Sequence, residues 1–275
     1  MLAAMSMRRL SFVPLALLLA LPAPAWAAPC AQPDLTARVT GLDECLIVKS
    51  FGPAEASPAN RLIVFLHGNH SDGSPAISMV RFAGRLARQA PDAVAVAMIR
   101  PGYDDETGQR SSGAIHDRGD NFTAQNIDIV ADAIARLKAH YHPQRVVLIG
   151  HSGGAATAGV ILGRHPGLAD AAVLVGCPCD VPVWRAGRGR KEAAWTSESP
   201  DRYVARIPDG TRVGVIVGAG DTVTPPALSK TYAADLAKRG VATELILLEG
   251  LDHYNVIGDG RVLATALRYS VAEPR

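Results

Sequence analysis

Residues Gly150-His151-Ser152-Gly153-Gly154 stand between an apolar run, Val146–Ile149, and a stretch of helical period that begins at Ala155. A Gly-x-Ser-x-Gly pentapeptide alone says little, because glycine-rich turns are common. Placed between a strand and a helix it constrains the chain strongly. The turn must be sharp enough to lift the serine hydroxyl clear of a sheet edge. Its neighbours must therefore be small, so that strand and helix can approach. The helix that follows aims its free N–H groups at the same point, where they favour negative charge.

The rest of the chain keeps this strand–turn–helix rhythm. Apolar runs predict strands at Leu46–Val48, Leu62–Leu66, Ala93–Ile99, Val146–Ile149, Ala171–Val175, Val213–Val217 and Leu245–Leu248. Continuous runs such as Leu62–Leu66 are the mark of strands buried on both faces. Helical periods predict helices at Ile77–Arg88, Thr123–His140, Ala155–Leu162, Ala227–Arg239 and Arg261–Val271, with Asp120 or Asn121 capping the second. This alternation predicts an α/β fold, a mostly parallel central sheet with helices on both faces. Residues 177–207 break the rhythm and read as a short insertion over the carboxyl ends of the strands, where open sheets bind ligands. The 275 residues accommodate one such domain, expected over 28–275.

The first 27 residues read as a signal peptide. Arg8 and Arg9 supply a short positive region, Leu10–Leu21 is largely apolar, and Ala25-Trp26-Ala27 fits a small-x-small cleavage site. The apolar run is shorter than the ~20 residues a membrane span needs, so no stable span is expected after removal of the signal. The mature protein is expected to be secreted or periplasmic. The four cysteines suit that compartment. They allow three pairings. The one expected is Cys30 with Cys45 and Cys177 with Cys179, the latter closing a very small ring. No further ligands at suitable spacing surround the Cys-Pro-Cys triplet, so neither a metal nor another cofactor is expected. The formal net charge of +2 is too small to suggest a nucleic-acid partner.

The chain resembles the α/β-hydrolases over nearly all of its mature length. Its C-terminal half is similar to the prolyl-oligopeptidase and dienelactone-hydrolase branches. The stretches that carry the likeness are Ser199-Pro200-Asp201-Arg202-Tyr203-Val204, Gly218-Ala219-Gly220-Asp221-Thr222-Val223-Thr224-Pro225 and Gly250-Leu251-Asp252-His253. The resemblance implies acyl-transfer chemistry without fixing a substrate.

A serine hydroxyl needs a base, and in this fold the order is Ser, then Asp or Glu, then His. Of the eight histidines, only His165 and His253 follow Ser152. His165 sits at a helix end, whereas His253 follows the last strand, so His253 is the expected base. Asp221, just after Val213–Val217, is the expected acid; Asp180 and Asp252 are the alternatives. Its task is to hold the imidazole in the right tautomer. Two oxyanion donors are expected, the backbone N–H of Gly153 and, by the family pattern of the loop His67-Gly68-Asn69, that of Asn69. His67 then anchors the loop.

Tyr103, Trp184 and Trp195 are candidates to border a substrate pocket, with Asp104 beside the first. Arg185, Arg188, Arg190 and Lys191 could attract an anionic substrate, or form a solvated basic loop. The function expected is an esterase acting on a small-molecule ester. An exopeptidase or amidase is the enzyme rival, with Glu192 and Glu198 as candidate amine-binding carboxylates. A degenerate hydrolase fold used for binding is the rival from another class.

Overall fold

The computed structural model describes residues 30–31, 33–52, 61–70, 74–75, 77–115, 122–189 and 196–271. The proposed signal segment, Asp120, Asn121, Arg190, Lys191, Glu192 and Trp195 lie outside them.

Eight strands form a single sheet in the order β1-β2-β4-β3-β5-β6-β7-β8. β1 (Arg38–Gly41) and β2 (Glu44–Phe51) form an antiparallel pair at one edge, and β2 runs antiparallel to β4 (Ala93–Met98). From β4 onward all pairs are parallel: β3 (Arg61–Leu66), β5 (Arg145–His151), β6 (Ala171–Val175), β7 (Arg212–Gly218) and β8 (Ala242–Leu248). Every residue of β4 and β6 is buried, as their unbroken apolar runs require.

The two faces carry separate cores. Alternate residues of the strands pack with α2 (Ala124–Tyr141), α3 (Gly153–Arg164) and α5 (Pro226–Arg239) on one side. The other set packs with α1 (Ile77–Gln89) and α6 (Gly260–Ser270). The chain leaves β3 for α1 on one face and β5 for α3 on the other. Because β3 and β5 are neighbours, their carboxyl ends open a crevice at a topological switch point, where sheets of this kind bind ligands.

Three expectations are corrected. β1 was not predicted; its four residues are too few to show a period. The cap of α2 is Thr123, whose side chain accepts from the Asn126 N–H, rather than Asp120 or Asn121. The 177–207 segment is only partly an excursion. It contains α4 (Val181–Gly187) and a 3-10 turn, Pro200–Arg206. The latter lies along α3, where a Cβ at Gly163 would overlap the Tyr203 carbonyl oxygen. Gly159, one turn earlier, faces Pro200 in the same way. Glycines four apart cut a groove into one helix face, and the end of the segment fills it instead of covering the sheet.

The Sγ atoms of Cys30 and Cys45 are 2.10 Å apart and those of Cys177 and Cys179 2.05 Å, both within bonding distance. Among the described residues no helix is long and apolar enough to cross a membrane.

Candidate active site

Ser152 is the first residue beyond β5 and the N-cap of α3, with φ 53° and ψ −119°. This backbone is unfavourable for any residue with a Cβ and costs roughly 1–3 kcal/mol. The surroundings enforce it. Ser152 N–H donates to the Val175 carbonyl at 2.8 Å, and α3 packs so close to β3 that a Cβ at Gly154 would overlap the Leu66 carbonyl oxygen. The strained turn presents the hydroxyl in the crevice.

His253 lies in the turn after β8, 4% exposed. Its Nε2 is 2.9 Å from Ser152 Oγ, and its Nδ1 is 2.8 Å from Asp221 Oδ2. A carboxylate accepts, so Nδ1 carries the proton and Nε2 is left to accept from the serine. Asp221, 2% exposed, follows β7. Burial alone raises its carboxyl pKa, but hydrogen bonds from His253 and Thr224 outweigh it and hold the group below the usual value. Its Oδ1 accepts from the Val223 and Thr224 N–H groups and its Oδ2 from Thr224 Oγ1. Both oxygens are therefore fixed, with Oδ2 facing the imidazole.

The rival acids are occupied elsewhere. Asp180 caps α4, accepting from Val183 N–H at 3.0 Å. Asp252 closes its own turn, accepting from Tyr254 and Asn255 N–H. His165 pairs with Asp128 at 2.7 Å, alongside Arg164. That pair borders a surface depression of about 860 Å³, which holds no nucleophile and base in contact; chemistry, not size, places the candidate site at Ser152.

Gly153 opens α3, where the first N–H groups have no intrahelical acceptor. Across from it, the loop after β3 is held by His67, which is fully buried. Its Nδ1–H donates to the Gly68 carbonyl at 2.7 Å and its Nε2 accepts from the Arg100 N–H at 2.9 Å. Burial and the nearby Arg100 charge keep its pKa well below the usual histidine value. The loop's Asn69 and the serine share a cleft of about 380 Å³, bordered also by His70, Ser78, Tyr254 and Ile257.

Of the expected pocket residues, Tyr103 and Trp184 are not at this cleft, and Trp195 lies outside the described residues. Tyr103 is buried, its ring edge-on to His67 and beneath Arg100; its neighbour Asp104 pairs with Arg110 outside. Trp184 sits on α4, with its indole N–H bonded to the Val223 carbonyl at 2.7 Å, so it braces the Asp221 turn from behind. Arg188 stacks over Trp184, Arg185 is buried, and neither lines the cleft at Ser152. Glu198 accepts from Tyr203 Oη on the α3 side.

Two residues here were not anticipated. His151, read only as the variable position of the pentapeptide, donates Nε2–H to the His253 carbonyl at 2.9 Å. Burial, with His253 beside it, pushes its pKa down to about 4, so it stays neutral and steadies the base's own backbone. Thr224 fixes Asp221 as described. Position in the chain, next to Ser152 for His151 and three residues beyond Asp221 for Thr224, was the one signal available for either.

A family model described as the alpha/beta hydrolase family matches residues 63–210, from β3 through the nucleophile turn. The chain belongs to the α/β-hydrolase family. Curated proteins provide no match. Among solved structures, this hydrolase resembles the Butyrivibrio proteoclasticus protein Est1E with ferulic acid bound. The TM-score is 0.64 at 11% identity, over 84% of this chain and 96% of that one. It resembles a Pyrococcus furiosus esterase with TM-score 0.62 at 16% identity, over 84% and 89%. It also resembles the Pyrococcus horikoshii acylaminoacyl peptidase, with TM-score 0.60 at 15% identity, over 84% of this chain but 39% of the peptidase. At these identities the likeness is one of fold.

Proposed function

We propose that this hydrolase is a serine esterase that cleaves small-molecule carboxylic esters through an acyl-enzyme. The observation that carries the reading is the continuous hydrogen-bonded series Ser152 Oγ, His253 and Asp221, with contacts of 2.9 and 2.8 Å. Ser152 attacks the ester carbonyl while His253 Nε2 takes its proton. Asp221 keeps Nδ1 protonated and stabilises the imidazolium that forms. The tetrahedral oxygen is held by the N–H groups of Gly153 and Asn69. His253 returns the proton to the departing alcohol, and water then releases the acid by the same two steps. The ligand of Est1E, ferulic acid, is a carboxylic acid of the kind that hydrolysis of an acyl group releases.

We also propose that the protein is exported. The charged, apolar and small-residue order of residues 1–27 supports this, as do two cysteine pairs at bonding distance.

A fluorophosphonate probe tests the nucleophile. Purified protein should be labelled on Ser152, and labelling should abolish hydrolysis of p-nitrophenyl acetate. An unlabelled, inactive protein would instead be a hydrolase fold used for binding. Fractionation followed by N-terminal sequencing of the mature chain tests export; a chain retained uncleaved in the cytoplasm would refute it.

A further inference from the structure

Arg100, immediately beyond β4, is the largest fully buried side chain of the described protein, 1% exposed. Among the described residues no carboxylate lies within ion-pair distance of it. An arginine is seldom fully buried without a counter-ion, because desolvating an unpaired charge is costly. Among the described residues the guanidinium has neutral partners. One terminal nitrogen, Nη2, donates to Asn69 Oδ1 at 2.5 Å, and the other, Nη1, lies 3.4 Å from Thr157 Oγ1. Its Nε has no hydrogen-bond partner among the described residues, and its central carbon stands 4.9 Å over the Tyr103 ring. Burial pulls its pKa below the ordinary arginine value.

These partners belong to the two segments from which the oxyanion donors of the proposed mechanism come. Asn69 is in the loop after β3. Thr157 is one turn into α3, and its hydroxyl donates to the Gly153 carbonyl at 3.0 Å. The segments touch directly, since a Cβ at Gly153 would overlap Asn69 Oδ1. The Arg100 backbone N–H is bonded to His67, so main chain and side chain both hold the same loop.

Building on the esterase reading, we propose that Arg100 is a positioning residue for the oxyanion hole. It clamps the Asn69 carboxamide against α3, sets the spacing of the Asn69 and Gly153 segments, and brings a positive charge, paired with no carboxylate among the described residues, to the two segments between which negative charge develops. In water such a charge would be screened; in a buried setting it favours the tetrahedral state over the neutral ester. Its contribution therefore belongs in kcat and in the binding of anionic tetrahedral adducts, not in ground-state affinity.

The test compares wild type with Arg100→Met, Arg100→Lys and Asn69→Ala on p-nitrophenyl acetate, with an alkylboronic acid as the tetrahedral probe. Arg100→Met should lower kcat by about 10-fold or more with KM within about 2-fold, and weaken the boronic acid in parallel. Arg100→Lys should recover part of the loss, since it keeps the charge but not the two-pronged reach. Arg100→Met combined with Asn69→Ala should cost little more than the worse single change. Unchanged kcat, a loss confined to Tm, or losses that multiply independently would each overturn the role. Should Arg100→Met not fold, Asn69→Ala decides: an unchanged kcat and boronic-acid affinity rules the clamp out. Fluorophosphonate labelling of wild type separates the two levels. Without labelling the esterase reading fails and this inference with it; with labelling, equal boronic-acid affinity across the variants removes Arg100 alone.

Discussion

Ser152 and His253, 101 residues apart in the chain, meet at 2.9 Å because one directly follows β5 and the other follows β8 at the same edge of the sheet. Neither does the proposed chemistry without the other. Ser152→Ala and His253→Ala should each lower kcat on p-nitrophenyl acetate by on the order of 10⁴-fold or more, and the double variant should be scarcely worse than either. Losses that multiply in the double variant would show that the two side chains do not share a proton.

The acid can be separated from its rival by matched substitutions. Asp221→Asn preserves shape but removes the charge and disturbs the tautomer of His253, so kcat should drop by on the order of 10⁴-fold. Asp180→Asn should leave kcat nearly unchanged, because asparagine also caps a helix and α4 keeps its first turn. A large loss at Asp180 with a small one at Asp221 would move the acid to the end of β6.

Much of this arrangement was legible in the sequence because buried parallel strands are read from unbroken apolar runs. The turn Gly150–Gly154 could be placed between β5 and α3 for the same reason, and chain order then selected Asp221 and His253. Arg100 was not legible. Nothing in Met98-Ile99-Arg100-Pro101 distinguishes a buried arginine from an exposed one, and arginines are mostly exposed. Its place follows from the register of β3 beside β4, which sets Leu66 opposite Met98. Tyr103 and Trp184 failed as pocket residues on similar grounds. An aromatic near a strand end can face the crevice or pack behind it, and only the tertiary structure decides.

Stability should fall on mild acidification, before the carboxylates matter. His151 is held at about 4 and His67 well below its usual value. Between about 6.5 and about 4 the unfolded chain takes up protons at these positions that the folded protein does not. The unfolding free energy therefore decreases as pH falls through that window, and this contribution is present in full only above about 6.5. Asp221, Asp128 and Asp105 are shifted downward from 3.8, so their loss comes at lower pH. Urea midpoints measured from pH 7 to pH 4 should decline, and His151→Gln should flatten part of the decline. A wild-type midpoint equal at pH 6.5 and 4.5 would contradict the neutral form of both histidines in the folded protein.

The last prediction separates esters from peptides. An amide is the harder substrate, because its leaving amine must be protonated and correctly oriented as it departs. Peptidases meet that demand with binding energy from remote parts of the substrate, and an exopeptidase that cleaves from the amino end needs a carboxylate to hold the free amine. The cleft of about 380 Å³ around Ser152 has no Asp or Glu among its described lining residues, and Glu198 is committed to Tyr203. An ester alkoxide leaves with less assistance, so the contacts of Ser152, His253 and Asp221 suffice for it. The mature protein should hydrolyse p-nitrophenyl acetate or butyrate with kcat/KM at least about 100-fold above any aminoacyl or dipeptidyl anilide. Equal efficiency on an anilide would overturn the choice of ester and direct attention to Glu192, whose substitution by Gln should then abolish the anilide reaction while leaving the ester reaction in place.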